Sequence, residues 1–205
     1  MEINRDIQQR TPKWDAARIF SIGGSSISKA VAAGKGKTRN QLLYDFVGEV
    51  LSGEKKPLGF SRKWIEDGNK FEADGLELYE FLNDVQLDRV GIVTHSEHKH
   101  FSPDSLCGDD GLIELKTVIP STFVERVDTG NVPTDHRRQC QWGMFICERK
   151  WAKYILYCPA VKKKREPLHV IHIKRDEKEI RWLNDECNKF IVEMKSLLLK
   201  VMKGG

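Results

Sequence analysis

The chain has no apolar run approaching a membrane span, no CxxC pair, no HExxH helix and no complete phosphate-binding loop. Each absence removes a class of protein. A transmembrane helix needs about 20 consecutive apolar residues, and nothing here qualifies, so no membrane partner is expected. Met1-Glu-Ile-Asn-Arg5 lacks the basic-then-apolar layout of a secretory signal, which leads us to expect a cytoplasmic protein. The five cysteines, Cys107, Cys140, Cys147, Cys158 and Cys187, are scattered and odd in number, which argues for reduced thiols rather than a disulfide framework or zinc site. Gly34-Lys-Gly-Lys-Thr38 has the tail of a P-loop, but Val31 stands where the first glycine belongs and no strand precedes it. That reading is rejected. A net charge of +4 permits a nucleic-acid partner without requiring one. No repeat or linker divides the chain, so residues 1–205 read as one domain with a sizeable core.

What is present centres on Ser102–Pro120. An acidic residue, Asp104, follows Pro103; a glycine-bearing turn follows at Gly108–Gly111; then Glu114-Leu-Lys116 stands inside an apolar run. Leu112, Ile113, Leu115, Val118 and Ile119 make Gly111–Ile119 read as a largely buried strand. Residues two apart on a strand share a face, so Glu114 and Lys116 project together. Two carboxylates and an amine converging on a buried sheet are costly unless compensated, and a divalent cation is the natural compensator. The bland alternative is a surface Glu–Lys pair, which so apolar a run disfavours.

The flanking segments read as follows. Thr11–Phe20 is expected to be a short helix with Trp14 inward, and Ser21–Ser28 a Gly-rich turn opening a helix near Ser25. Such a turn presents N–H groups to an anion, or is simply a cap. Thr38 with Gln41 has the capping-box pattern for a helix through about Leu51, and Ser61–Leu82 reads as a long helix with Glu72 near its apolar stripe, either solvated or functional. Val85–Thr94 has strand character. His95-Ser-Glu-His-Lys-His100 reads as an exposed loop in preference to a zinc site. Ser121–Val127 and Pro133–Glu148 are expected helices, the latter carrying Gln139 and Gln141, one of which is expected to face the site. Ala152–Cys158 and Leu168–Ile173 alternate like strands, joined by Val161–Arg165, whose basic run either touches a phosphate backbone or forms a solvated hairpin tip. Asp176–Lys203 is the longest helical signal, with a heptad seam laid along its own domain or, less commonly, along another subunit.

Asp104, Glu114 and Lys116 stand at the spacing of the PD-(D/E)xK nucleases, and the chemistry suits phosphodiester hydrolysis. Two carboxylates with a strand carbonyl such as that of Leu115 are hard oxygen ligands for Mg²⁺. Lys116 would orient a water or offset developing negative charge. The chain further resembles the lambda-type exonucleases, the phage alkaline exonucleases or viral recombination nucleases. That resemblance rests on Trp14-x-x-x-Arg18 with Ser25, on Gly68-x-x-x-Glu72, on Ser102-Pro-Asp-Ser-Leu-Cys107 and Leu112-Ile-Glu-Leu-Lys116, on Gln139-Cys-Gln141, and on Leu168–Glu177, all in family order.

The resemblance implies an α/β fold with a restriction-endonuclease-like core, a mixed central β-sheet flanked by helices, and a long C-terminal helix. It implies that Asp104, Glu114 and the Leu115 carbonyl bind the catalytic metal and that Glu72 completes a second, so two Mg²⁺ per site with Mn²⁺ able to substitute. Lys116 would act on the nucleophilic water with Gln139 in support, and Arg18, Ser25 and Ser102 would hold a DNA 5′-phosphate. It implies a 5′→3′ exonuclease on linear double-stranded DNA ends, a ring-shaped homotrimer, a single-strand annealing protein as partner in phage-type recombination, and a bacterial host cytoplasm. A restriction-like or repair endonuclease and a non-catalytic DNA-binding or assembly protein are the rivals. Two departures stand out: Ser105 replaces the glycine usual after Pro-Asp, and Gly23-Gly24 replaces bulkier residues, which is expected to loosen the phosphate pocket.

Overall fold

A computed structural model describes residues 1–34, 36–55, 62–162 and 165–204, with 62–69 described by their backbone alone. The centre is a five-stranded sheet in the order β2 (Leu87–Asp88), β5 (Ser105–Cys107), β6 (Gly111–Thr117), β7 (Trp151–Tyr157), β8 (Leu168–Lys174). It is mixed. Only β6 and β7 run parallel, and the connection between them carries α5 (Pro120–Thr129) and α6 (Thr134–Ile146), as a parallel crossover requires. A smaller antiparallel sheet joins β1 (Glu2–Asn4), β3 (Ile92–Ser96) and β4 (Lys99–Phe101). The remaining helices are α1 (Pro12–Ala16), α2 (Gly24–Ala30), α3 (Lys37–Ser52), α4 (Arg62–Asn83) and the long C-terminal α7 (Glu177–Met202).

The strand β6 is buried on both faces, and its alternation sorts the molecule into two layers. Ile113 and Leu115 pack with Leu76, Tyr79 and Ile155 beneath α4. Leu112 belongs to the larger core on the other face, built from α2, α6 and α7. By the period-two rule Glu114 and Lys116 share the face of Leu112, toward α6. Gly75 brings α4 close to this sheet: a Cβ there would lie 2.9 Å from both the Leu115 and Tyr157 side chains. The expected α/β architecture, mixed sheet and long C-terminal helix are present. In α7 the seam residues Ile180, Leu183, Cys187, Phe190 and Met194 are buried against the chain's own helices α2, α3 and α6, whereas Val201 at its far end is exposed.

Several local expectations are corrected. The first helix ends at Ala16 rather than Phe20: residues 17–20 form a turn, in which Phe20 adopts a left-handed backbone (φ 56). The helix of 37–52 is capped by Gly36, not Thr38. The His95–His100 segment is not an exposed loop. His98, Lys99 and His100 are buried in the β3–β4 hairpin, where the Lys99 ammonium donates to Asn184 and Asn188 of α7 at 2.7 and 2.6 Å. Its three histidines diverge, His95 against Phe145, His98 against Phe20 and His100 onto Ser21, so they form no zinc site. All five cysteines are free. The basic run at 162–165 falls partly outside the described residues.

Candidate active site

The strand β5 pairs with β6 only as far as Ser105↔Ile113, which leaves the β5-side edge of β6 open from Glu114 onward. Asp104 sits at that opening. Its Oδ2 accepts from the Leu115 N–H at 2.6 Å, replacing the missing strand partner. The N–H and C=O of one strand residue face the same neighbour, so the Leu115 carbonyl also points to the Asp104 side. Glu114 is 1% exposed; its Oε1 accepts from Lys116 Nζ at 2.5 Å and from Gln139 Nε2 at 2.6 Å. Its other oxygen, Oε2, is buried without a hydrogen-bond partner.

The electrostatics of this trio are those of a site short of positive charge. Burial, then the neighbouring Glu114, pushes the Asp104 carboxyl well above its ordinary range. Burial also raises Glu114, against the pull of Lys116. For Lys116, burial favours the neutral amine, but Glu114 and Asp104 outweigh it and hold the ammonium raised. With no cation on these carboxylates, Lys116 is held as an ammonium. Beside it the Tyr154 hydroxyl bonds His136 Nδ1 at 2.7 Å, and burial pushes the phenol up to about 12.

One cleft of about 270 Å³ collects every residue to which the resemblance gives a role: Arg18, Ser25, Glu72, Ser102, Asp104, Glu114, Leu115, Lys116 and Gln139. The glutamine pair divides as expected. Gln139 faces the cleft, whereas Gln141 is buried and ties the Lys174 carbonyl and the Asp176 N–H beyond β8. At the other end, the Arg18 guanidinium stacks 3.5 Å from the Trp14 ring centre, and the Trp14 indole donates to Ser102 Oγ at 2.8 Å. Ser25 opens α2, exposed, beside Gly23 and Gly24. The glycine pair does not loosen this end: a Cβ at Gly23 would meet the His100 ring at 2.5 Å, and one at Gly24 the Phe101 ring at 2.4 Å. The space that bulkier residues would fill is already taken. Ser105, in place of the usual glycine, is fully buried and donates to the Asp88 carbonyl at 2.9 Å, fastening the turn after Asp104.

Sequence reasoning missed two participants. His100 is 4% exposed, with Nδ1 2.8 Å from Ser21 Oγ and Nε2 accepting from Arg18 Nε at 3.4 Å. Burial, then Arg18 and Lys55, holds its pKa well below 6.5. The folded protein thus refuses a proton that the unfolded chain accepts, so stability present above pH 6.5 is lost as the pH falls toward the depressed folded value. A urea-denaturation profile against pH is expected to show this acid limb, and His100→Gln to flatten it. A mutant profile parallel to wild type would remove His100 as its source. The second participant, Arg10, bonds Glu72 Oε2 at 2.5 Å. Neither residue has a sequence signature, because each depends on partners remote in the chain.

Comparison with known proteins places the chain in a family. Residues 13–150 match the YqaJ-like viral recombinase domain, more than half of the chain and a span that runs from the Trp14–Arg18 segment through Asp104, Glu114, Lys116 and Gln139. The chain belongs to the YqaJ-like viral recombinase family. The lambda-type resemblance read from the motifs is borne out with it. The fold of this family member is that of the crystallised alkaline exonuclease from Laribacter hongkongensis, with a TM-score of 0.85 at 22% identity over 94% of this chain and 97% of that one. The same enzyme crystallised with dAMP superposes equally well. A phage-related exonuclease from Haemophilus somnus 129PT gives a TM-score of 0.65 at 14% identity, covering 88% of this chain and 96% of that one. An uncharacterized protein of Acanthamoeba polyphaga mimivirus is 29% identical over 102 residues, which is 49% of this recombinase-family chain but only 18% of the viral protein. No helix among the described residues is long and apolar enough to cross a membrane.

Proposed function

We propose that this protein is a divalent-metal-dependent 5′→3′ exonuclease that degrades the 5′-ended strand of linear double-stranded DNA and leaves a 3′ single strand for recombination by annealing. The observation that carries this reading is Glu114, buried between Lys116 and Gln139 with an unpartnered carboxylate oxygen, across from an Asp104 whose ionisation burial opposes. Among the described residues, no three His, Cys, Asp or Glu side chains are gathered tightly enough to make a ready-made metal site. Each carboxylate has an oxygen engaged by a protein donor, Asp104 by Leu115, Glu114 by Lys116 and Gln139, Glu72 by Arg10. The donor set nevertheless suits a hard cation, and the orphaned oxygen gives it a place. Asp104, Glu114 and the Leu115 carbonyl would hold one Mg²⁺, with Glu72 serving a second; Mn²⁺ would substitute. When bound, such a cation would supply stabilisation of charge on the attacked phosphate and a more acidic water.

The chain's own residues do the rest. Lys116 would donate to the attacking water or to charge developing on the phosphate. Gln139 fixes the Glu114 carboxylate. Arg18, Ser25 and Ser102 form the far end of the cleft and take the 5′-phosphate, with Trp14 bracing both Arg18 and Ser102. The fold shared with the Laribacter enzyme and the family's recombinase designation support the DNA substrate. Residues 1–205 would act as a single domain in a ring-shaped homotrimer in the host cytoplasm, which would let a weakly basic subunit remain on DNA and hand its product to an annealing protein. Linear duplex and covalently closed circular DNA, incubated in parallel with Mg²⁺, test the reading. Linear DNA should be consumed and the circle left intact; cutting of the circle would make the protein an endonuclease instead.

A further inference from the structure

Arg10 occupies the left-handed backbone region, at φ 64, which residues with side chains seldom adopt. Such a conformation persists where the surroundings enforce it. Here the Gln9 amide donates to the carbonyls of Val90 and Pro103 at 2.9 and 2.8 Å, and Thr11 Oγ1 donates to the Gln8 carbonyl at 2.7 Å. The turn is thereby fastened to the peptide just before Asp104, and the guanidinium meets Glu72, with Nη2 2.5 Å from Oε2. The two side chains keep 37% and 22% of their exposure. Together they line two adjoining clefts, of about 440 and 270 Å³, that also share Gln9 and Asp104. The ion pair is a partition between them.

We propose that Arg10 is an exchangeable counter-cation of the site. It neutralises Glu72 in the metal-free protein, gives up that carboxylate when a divalent cation binds, and then takes a backbone phosphate of duplex DNA lying across the joined clefts. The inference rests on the metal-site reading above. A guanidinium fits carboxylate and phosphate with the same two-pronged geometry, so the exchange replaces one anionic partner by another and strands no charge. Glu72 also raises the proton affinity of both Asp104 and Glu114, so neutralising it eases the whole cluster.

The test follows Mn²⁺ binding to the full chain without DNA, by the electron paramagnetic resonance signal of the free ion. It compares wild type with Arg10→Gly, Arg10→Lys and Glu114→Gln. Glycine suits the left-handed position, so Arg10→Gly removes the charge without imposing backbone strain. That variant should bind Mn²⁺ about three- to fivefold more tightly, as expected for loss of a partly exposed ion-pair competitor, and the lysine variant should stay near wild type. With Mn²⁺ present, its affinity for an uncleavable phosphorothioate duplex should fall about tenfold, the scale of one charged hydrogen bond. A wild-type isotherm lost in Glu114→Gln but unchanged in Arg10→Gly would overturn this proposal alone. Absence of Mn²⁺ binding in wild type would overturn the metal reading and this proposal with it. Tighter Mn²⁺ binding with unchanged duplex affinity would overturn the phosphate contact.

Discussion

Lys116→Ala is expected to lower the rate of duplex hydrolysis by about 10²–10³-fold, the scale seen when a preorganised donor to developing charge is removed. Duplex binding should change far less than turnover, because the ammonium is already paired with Glu114. The same substitution strips Glu114 of the cation that favours its ionised form, so the carboxyl, already raised by burial, should rise further. Single-turnover digestion of linear duplex, with binding measured separately by gel shift, checks both halves. Turnover retained near the wild-type rate would take Lys116 out of the chemistry.

The second large effect is at the opposite end of the cleft. Arg18→Ala should slow digestion of 5′-phosphorylated ends by about 10–100-fold, corresponding to roughly 1.5–3 kcal/mol for hydrogen bonds to a charged group. It should affect 5′-hydroxyl ends little. The contacts of Arg18 hold it in place: a cation–π stack on Trp14, a 3.5 Å pair with Asp15 and a long 3.4 Å bond to His100. Burial lowers its pKa, yet a guanidinium stays charged throughout the accessible range. Matched rate assays on the two end chemistries decide the matter. Equal losses on both would mean that Arg18 supports the packing around Trp14 and His100 and does not recognise the end.

The central strand was legible because its physics is local. An apolar run interrupted by Glu114 and Lys116 two apart forces both onto one face, and the structure joins them at 2.5 Å. The open edge that gives Asp104 its partner was not legible, since it depends on where β5 stops pairing. The His95–His100 segment misled for a related reason. Its polar residues are buried because Lys99 reaches α7 and His100 reaches Ser21, partners that lie 85 and 79 positions away in the chain. Arg10 was invisible because nothing in an arginine announces a left-handed backbone; the bonds from Gln9 and Thr11 impose it. Glu72 and Gln139 stood out by their places on apolar helical segments, with the alternatives left open until the resemblance gave them roles, and the fold brings both to the cleft of Asp104 and Glu114.

The most direct test of a metal-dependent 5′-end nuclease is digestion of linear duplex DNA carrying labelled, phosphorylated 5′ ends, with and without Mg²⁺. A metal-dependent 5′-end nuclease releases 5′-labelled mononucleotide at early times only when Mg²⁺ is present, with the complementary 3′-ended strand left intact. Label released equally in the presence of excess chelator, or loss of the 3′-ended strand first, would contradict it.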